Sequence, residues 1–208
     1  MSQSTLAIMV SGGGSNLQAV IDAIAAGEIS WRIGLVLSDR PECGGVQRAI
    51  AHRIPVCAIP YPSRATALQR QAWEHRALSV VRAFAPDVVL LSGFMRIISA
   101  ETLNTVAIPI INQHPALLPS DGGDDYVLAD GRVIPALRGA HVVADALRLR
   151  LPITGCTIHY VVPEVDRGPV IATHEVPVLP NDSEESLHQR IRSTEQRLLV
   201  RTLATTTF

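Results

Sequence analysis

Asn112 and His114 stand two residues apart at the end of the apolar run Ile108–Ile111, and Pro115 follows them. Side chains two apart on a strand share a face, and a proline ends regular pairing. An amide and an imidazole directed into one cleft together hold a carbonyl oxygen and the negative charge that develops on it during attack. The alternative for a lone histidine is a satisfied side chain at a strand end. His52, His75, His159, His174 and His188 lack a comparable setting and read as structural or surface groups.

Two further segments carry candidate chemistry. Gly12-Gly13-Gly14 is followed by Ser15-Asn16 and a helical pattern. Glycines let the backbone approach a phosphate, and a helix N-terminus offers free N–H groups and a positive dipole end. The spacing matches neither a dinucleotide fingerprint nor a P-loop, and a tight turn with Ser15 as N-cap explains it equally. Asp166, within Glu164-Val165-Asp166-Arg167-Gly168-Pro169, is either a turn-forming aspartate or a carboxylate beside His114, where it would favour the imidazolium and raise its pKa. No His, Asp, Glu or Cys set has metal-ligand spacing.

These residues need elements to position them. Strands are expected at Leu6–Val10, Ile33–Leu37, Val56–Ile59, Asp87–Leu91 and Ile108–Asn112, with helices at Asn16–Ala26, Val46–His52 and Ala65–Phe84 between them. This alternation predicts an α/β fold with a doubly wound, mostly parallel sheet. Beyond a helix at His141–Arg150, the closely spaced runs Thr157–Val162 and Pro169–Val178 predict an antiparallel C-terminal extension, and Asp182 or Ser183 caps a last helix. Residues 120–138 open with Ser120-Asp121-Gly122-Gly123-Asp124-Asp125, and Asp130-Gly131 between short apolar runs predicts a hairpin with a two-residue turn. Such a hairpin is either a lid over the site or a solvated insertion. Ligands of open α/β sheets bind beyond the carboxyl ends of the strands. That rule marks Ser11–Asn16, Ser92–Arg96, Asn112–His114 and Pro163–Gly168.

Bulk properties narrow the function classes. A 47% hydrophobic, 18% charged composition over 208 residues suits one globular domain. A formal charge of -1 gives no basic excess for nucleic acid or an anionic membrane. The chain has no lysine, which removes Schiff-base and P-loop lysine chemistry. Cys43, Cys57 and Cys156 lack CxxC spacing, and Cys57 and Cys156 read as reduced core thiols. No basic n-region or membrane-length apolar run is present, so a cytoplasmic protein is expected.

Ser11-Gly12-Gly13-Gly14-Ser15-Asn16-Leu17-Gln18, Ser92-Gly93-Phe94-Met95-Arg96-Ile97, Asn112-Gln113-His114-Pro115-Ala116-Leu117-Leu118-Pro119 and Asp166-Arg167-Gly168-Pro169-Val170 occur in that order. Together they resemble the phosphoribosylglycinamide formyltransferases, folate-dependent enzymes of purine synthesis, over most of the chain. The resemblance implies a Rossmann-like formyltransferase fold in a single domain over 1–208. Residues 1–110 would be its nucleotide-binding half and 111–208 its folate-binding and catalytic half. It implies that Asn112 and His114 polarise a formyl group and that Asp166 keeps His114 protonated. Gly14, Ser15, Asn16 and Leu17 would bind the ribonucleotide, joined by Arg192 and Glu195. Arg64, Met95, Arg96, Ile97, Ile98, Asn112, Val162, Pro163, Glu164, Val165 and Asp166 would line the folate site. The implied co-substrate is 10-formyltetrahydrofolate, with no metal, no nucleic acid and no membrane, in a monomer or homodimer. A formyltetrahydrofolate hydrolase, which would carry a second histidine where Pro115 stands, and a formyltransferase with another amine acceptor are the competing readings. A nucleotide-binding regulatory protein on the same sheet would have no use for Asn112, His114 and Asp166. Residues 120–138 are long for the family, in which this stretch before Gly139-Ala140-His141 is very short.

Overall fold

The computed structural model describes residues 3–208. The chain divides into two compact units, residues 1–111 with 206–208, and residues 112–205.

The first unit holds β1 (Ser4–Val10), α1 (Ser15–Ala25), β2 (Trp31–Ser38), α2 (Gly44–Ala51), β3 (Val56–Ala58), α3 (Ala67–Ala83), β4 (Val88–Leu91) and α4 (Ala100–Thr105). Its strands hydrogen-bond in the order β3-β2-β1-β4, every pair parallel. Strands covered on both faces read as continuous apolar runs, and Leu6, Ile8, Leu35, Leu37 and Leu90 are fully buried. α3 starts on a capping box: Thr66 accepts from the Gln69 N–H and the Gln69 side chain accepts from the Thr66 N–H. The sequence reading did not anticipate α4. At six residues it is too short to show a period, but Ser99 caps it through the Thr102 N–H, and the buried Glu74 carboxylate accepts from both the N–H and the hydroxyl of Ser99.

β5 (Ile110–His114) ends in the second unit, which continues with β6 (Asp125–Val127), β7 (Val133–Pro135), α5 (Val142–Arg148), β8 (Ile153–Tyr160), β9 (Val170–Pro177) and α6 (Glu184–Thr205). β5, β8 and β9 are successive neighbours, and β8 and β9 run antiparallel. The expected C-terminal extension is therefore present. Leu187, Ile191 and Leu199 of α6 are buried. Ser183, rather than Asp182, caps that helix through the Ser186 N–H, while Asp182 is held by Arg190 at 2.7 Å.

β6 and β7 form the hairpin expected within 120–138, closing on the pair Val127–Val133. Its turn is not the two-residue kind. Gly131 N–H donates to Leu128 O, and Gly131 has φ 86°, so Ala129-Asp130 form the bend and glycine takes the left-handed position behind it. Leu128 and Ile134 are buried with Leu117 in a cluster of their own, against which Tyr126, Leu151 and Ile153 pack. The hairpin is thus anchored by an apolar root, while Val127 and Val133 stay exposed. Among the described residues, no helix is long and apolar enough to cross a membrane.

Candidate active site

β5 delivers Asn112 and His114 on one face, and β8 delivers Thr157 and His159 by the same alternation. Thr157 locks the chain beyond His114 in place: its hydroxyl donates to Ala116 O at 2.8 Å and accepts from Leu118 N–H at 3.0 Å. The turn between β8 and β9 supplies Asp166. Its carboxylate lies 3.5 Å from His114 Nδ1 and 3.6 Å from His159 Nε2. Asn112, His114 and Asp166, far apart in sequence, are thus neighbours in the second unit.

His159 corrects the sequence reading, which placed it among structural or surface histidines. It is 2% exposed, its Nε2 lies 3.2 Å from Asn112 Nδ2, and its ring meets that of His114 edge to face, centroids 6.4 Å apart. The missing piece was that β8 lies beside β5, which is a long-range pairing. The detectable signal was the two-residue spacing of Thr157 and His159 inside an apolar strand.

Three backbone or side-chain groups were also unanticipated. Leu137 O is 2.8 Å from His114 Nε2. Gly139 N–H donates to Asp166 Oδ2 at 2.9 Å, and Arg138 Nε donates to Asp166 O at 3.2 Å. Asp166 itself has φ 55°, a left-handed conformation that costs a residue with a Cβ about 1 kcal/mol. Gly168 closes the same turn where a Cβ would lie 1.8 Å from Tyr160 O, so no other residue fits there.

Burial sets the electrostatics. Desolvation pushes the His114 pKa below its ordinary value of 6.5; Asp166 and the Leu137 hydrogen bond pull it upward without overcoming that. The expectation that Asp166 raises this pKa is right for the pair but wrong for the net direction. Burial also opposes ionisation of Asp166, yet His159, His114 and the Gly139 amide together leave its pKa below the carboxylate norm.

The remaining folate candidates of this unit lie on the same turn: Val162 is half-buried, and Pro163, Glu164 and Val165 are exposed. On α6 Glu195 is buried and Arg192 exposed. Cys156 on β8 is buried, its thiol pushed up to about 12 by burial and then by Glu195. Cys57, expected in the core, is only half-buried.

In the first unit, Ser15, Asn16 and Leu17 form the first turn of α1, and Gly14 stands at the N-cap with φ 71° and no side-chain cap bond. The reading of Ser15 as N-cap is therefore replaced: Ser15 is inside the helix. The loop is packed backbone to backbone. Gly45 N–H donates to Gly12 O, Arg48 Nε donates to Gly13 O at 2.9 Å, and a Cβ on Gly14 would lie 2.5 Å from Gly45 Cα. Leu17 is fully buried, so its side chain belongs to the core. An open pocket of about 600 Å³ is lined by Ser11, Gly12, Asp39, Arg40, Cys43 and Gly44, among others.

The 92–98 segment lies against this loop, with Met95 N–H donating to Ser11 Oγ at 2.9 Å. Arg96 is engaged internally: Nε pairs with the buried Asp39 at 2.7 Å and the guanidinium sits 4.1 Å over the Tyr61 ring. Met95 and Ile97 are exposed and Ile98 is buried. Arg64 lies on an exposed turn with φ 53°.

Residues 4–203 match the family model described as formyl transferase. The chain belongs to that family. It is 38% identical over 202 residues to the phosphoribosylglycinamide formyltransferase of Mycobacterium tuberculosis (strain ATCC 25618 / H37Rv), covering 96% of this chain and 83% of that one. It is 32% identical over 198 residues to the same-named protein of Escherichia coli (strain K12), covering 93% and 82%. The solved structure of phosphoribosylglycinamide formyltransferase from Bacillus halodurans matches with a TM-score of 0.82 at 31% identity, over 97% of this chain and 94% of that chain. The likeness places the chain in the formyltransferase α/β fold, with a seven-stranded, mostly parallel sheet ending in an antiparallel pair.

Proposed function

We propose that this formyl transferase moves the formyl group of 10-formyltetrahydrofolate onto the amine of phosphoribosylglycinamide, a step of purine synthesis. The observation that carries this reading is the cluster of Asn112, His114 and Asp166 in a chain 38% identical to a phosphoribosylglycinamide formyltransferase.

The amine attacks the formyl carbon, and charge develops on the formyl oxygen. His159 Nδ1 faces Tyr160 O at 2.9 Å, so its Nε2 accepts one N–H of Asn112 and leaves the other for that oxygen. His114 Nε2–H is directed at Leu137 O. The 3.5 Å gap from Nδ1 to Asp166 is longer than a full hydrogen bond. When His114 takes up a second proton, its Nδ1–H is available to the formyl oxygen, with Asp166 balancing the imidazolium. The tetrahedral intermediate then collapses, restoring the C=O bond and breaking the carbon–N10 bond, and the proton lost by the amine reaches the departing folate N10 through water or His114.

The ribonucleotide phosphate binds at the α1 N-terminus, formed by Gly14, Ser15, Asn16 and Leu17, toward the positive end of the helix dipole; Glu195 and Arg192 contact the ribonucleotide. The folate is held by Met95, Arg96, Ile97 and Ile98, by Val162 to Asp166, and near its tail by Arg64. Arg96, committed to Asp39, contributes through its backbone. The protein acts in the cytoplasm, on small molecules, as a monomer or homodimer and without a metal.

Purified protein should release tetrahydrofolate from the formyl donor only when phosphoribosylglycinamide is present. Rapid hydrolysis without acceptor would mark a hydrolase instead, and transfer only to a different amine would move the acceptor assignment. His114→Ala should abolish transfer while retaining ribonucleotide binding; full activity in that variant would overturn the mechanism.

A further inference from the structure

Residues 137, 138 and 139 make successive contacts with the catalytic pair: Leu137 O with His114, Arg138 with the Asp166 carbonyl, Gly139 N–H with the Asp166 carboxylate. Leu137 and Arg138 close the segment 120–138 that carries the β6–β7 hairpin, and Gly139 follows directly. We propose that Arg138 is a positioning residue, its guanidinium bridging the root of the hairpin to the Asp166 backbone and so fixing where that carboxylate points. The inference rests on the formyl-transfer reading and adds a residue to it.

Asp166 has a left-handed backbone that a Cβ disfavours, so something must hold it. Arg138 Nε accepts none of that work from solvent: the side chain is 15% exposed, and Nε donates to Asp166 O at 3.2 Å. Its other arms donate to Gly122 O at 3.4 Å, to Gly123 O, and to Asp124 Oδ1 at 3.4 Å. A planar fork with several donors can span these acceptors at once, and an ammonium cannot.

The far end of the bridge is itself fixed. Arg167, the residue after Asp166, donates to Gly122 O and Asp124 Oδ1, both at 2.5 Å. Ala136 N–H donates to Asp124 O at 2.8 Å, continuing the β6–β7 ladder. That ladder is rooted through Leu128 and Ile134 on Leu117, three residues after His114. The hairpin is thus a mount from which Arg138 acts on Asp166, and through Asp166 on His114 and His159. Nothing in this arrangement requires Arg138 to touch substrate.

The test uses the full chain with Arg138→Ala, Arg138→Lys and, as a control on the same hairpin, Arg132→Ala, whose side chain pairs with the exposed Asp130. Displacing a positioned group by about 1 Å costs up to about a hundredfold in rate. Both Arg138 variants should lose about ten- to hundredfold in kcat with each KM within about twofold, and added guanidinium ion should restore part of the loss in Arg138→Ala. Arg132→Ala should match wild type. Arg138→Lys keeps the charge and the stem and so guards against misfolding of the alanine variant; wild-type kcat in it would overturn the proposal. The imidazole ¹H–¹⁵N signals of His114 and His159 report the same displacement without any assay. They should move in both Arg138 variants and stay in Arg132→Ala, and unmoved signals sink the inference. Wild type that transfers no formyl group to phosphoribosylglycinamide would instead count against the function itself, leaving the imidazole signals to decide the role of Arg138.

Discussion

His159 Nε2 lies 3.2 Å from the side-chain nitrogen of Asn112, while its Nδ1 faces the Tyr160 carbonyl at 2.9 Å. The carbonyl can only accept, so Nδ1 carries the proton and Nε2 takes one from the amide. The histidine thereby decides which way the Asn112 amide is turned. Replacing His159 by Leu removes the acceptor and leaves the amide free to flip. A drop in kcat of about tenfold or more is expected, equivalent to about 1.4 kcal/mol, with a smaller drop for His159→Gln, whose carbonyl can still accept. Steady-state kinetics on both variants check this, and equal losses would show that only the volume mattered.

The His114 pair has a definite pH behaviour. Burial holds its pKa below 6.5, and Asp166 opposes that. Asp166→Asn should lower the His114 midpoint further, as followed by NMR titration. For stability, the unfolded chain takes up a proton at 6.5 and the folded one only at lower pH. The stability tied to this group is complete above 6.5 and falls as pH drops through the window beneath it. His188, lowered by burial and by Arg192, acts with the same sign. The His114 share is therefore the difference between wild type and His114→Gln in denaturant unfolding at about pH 7.5 and about pH 5.5, and the variant should lose less on acidification.

Gln113 separates the two site residues yet faces the other side of β5. It is 7% exposed, and neither its amide nitrogen nor its oxygen finds a hydrogen-bond partner among the described residues. A buried unpartnered amide costs about 1–3 kcal/mol. Gln113→Leu should raise the unfolding free energy by about 1 kcal/mol and the Tm accordingly, measured by chemical and thermal denaturation. A lower Tm would mean that the amide is satisfied in solution.

Gly14 is constrained twice, by φ 71° and by the 2.5 Å a Cβ would leave to Gly45 Cα. Gly14→Ala combines a left-handed penalty with a backbone clash, for about 2–4 kcal/mol of lost stability. If the ribonucleotide phosphate binds there, its KM should rise while the folate KM holds. A rise in both would separate the loop from the phosphate.

The elements of the first unit were legible because each strand is a short apolar run and each long helix has a three-to-four residue period; the ends moved by a residue or two. α4 was not legible, being shorter than two periods and held by Ser99 and Glu74. Asn112, His114 and Asp166 were legible as types and as family motifs, but their proximity needed the β5-β8 neighbourhood. His159 fell outside the reading for that reason. The Leu137 carbonyl and the Gly139 amide are backbone groups, which residue types cannot announce. The net direction of the His114 pKa was missed because burial is a property of the fold and the Asp166 charge is visible in the sequence.

A thiol at about 12, as in Cys156, carries almost no thiolate near neutral pH, and the thiolate is the reactive form. Cys43 and Cys57, both half-buried, sit in residues 1–111, and Cys156 sits in residues 112–205. Maleimide or fluorophore labels will therefore settle on the glycine-loop side of the chain and leave the histidine cluster unmodified. A ready-made spectroscopic handle on the pocket that Cys43 lines with Gly12 and Gly44 follows, without any engineered cysteine.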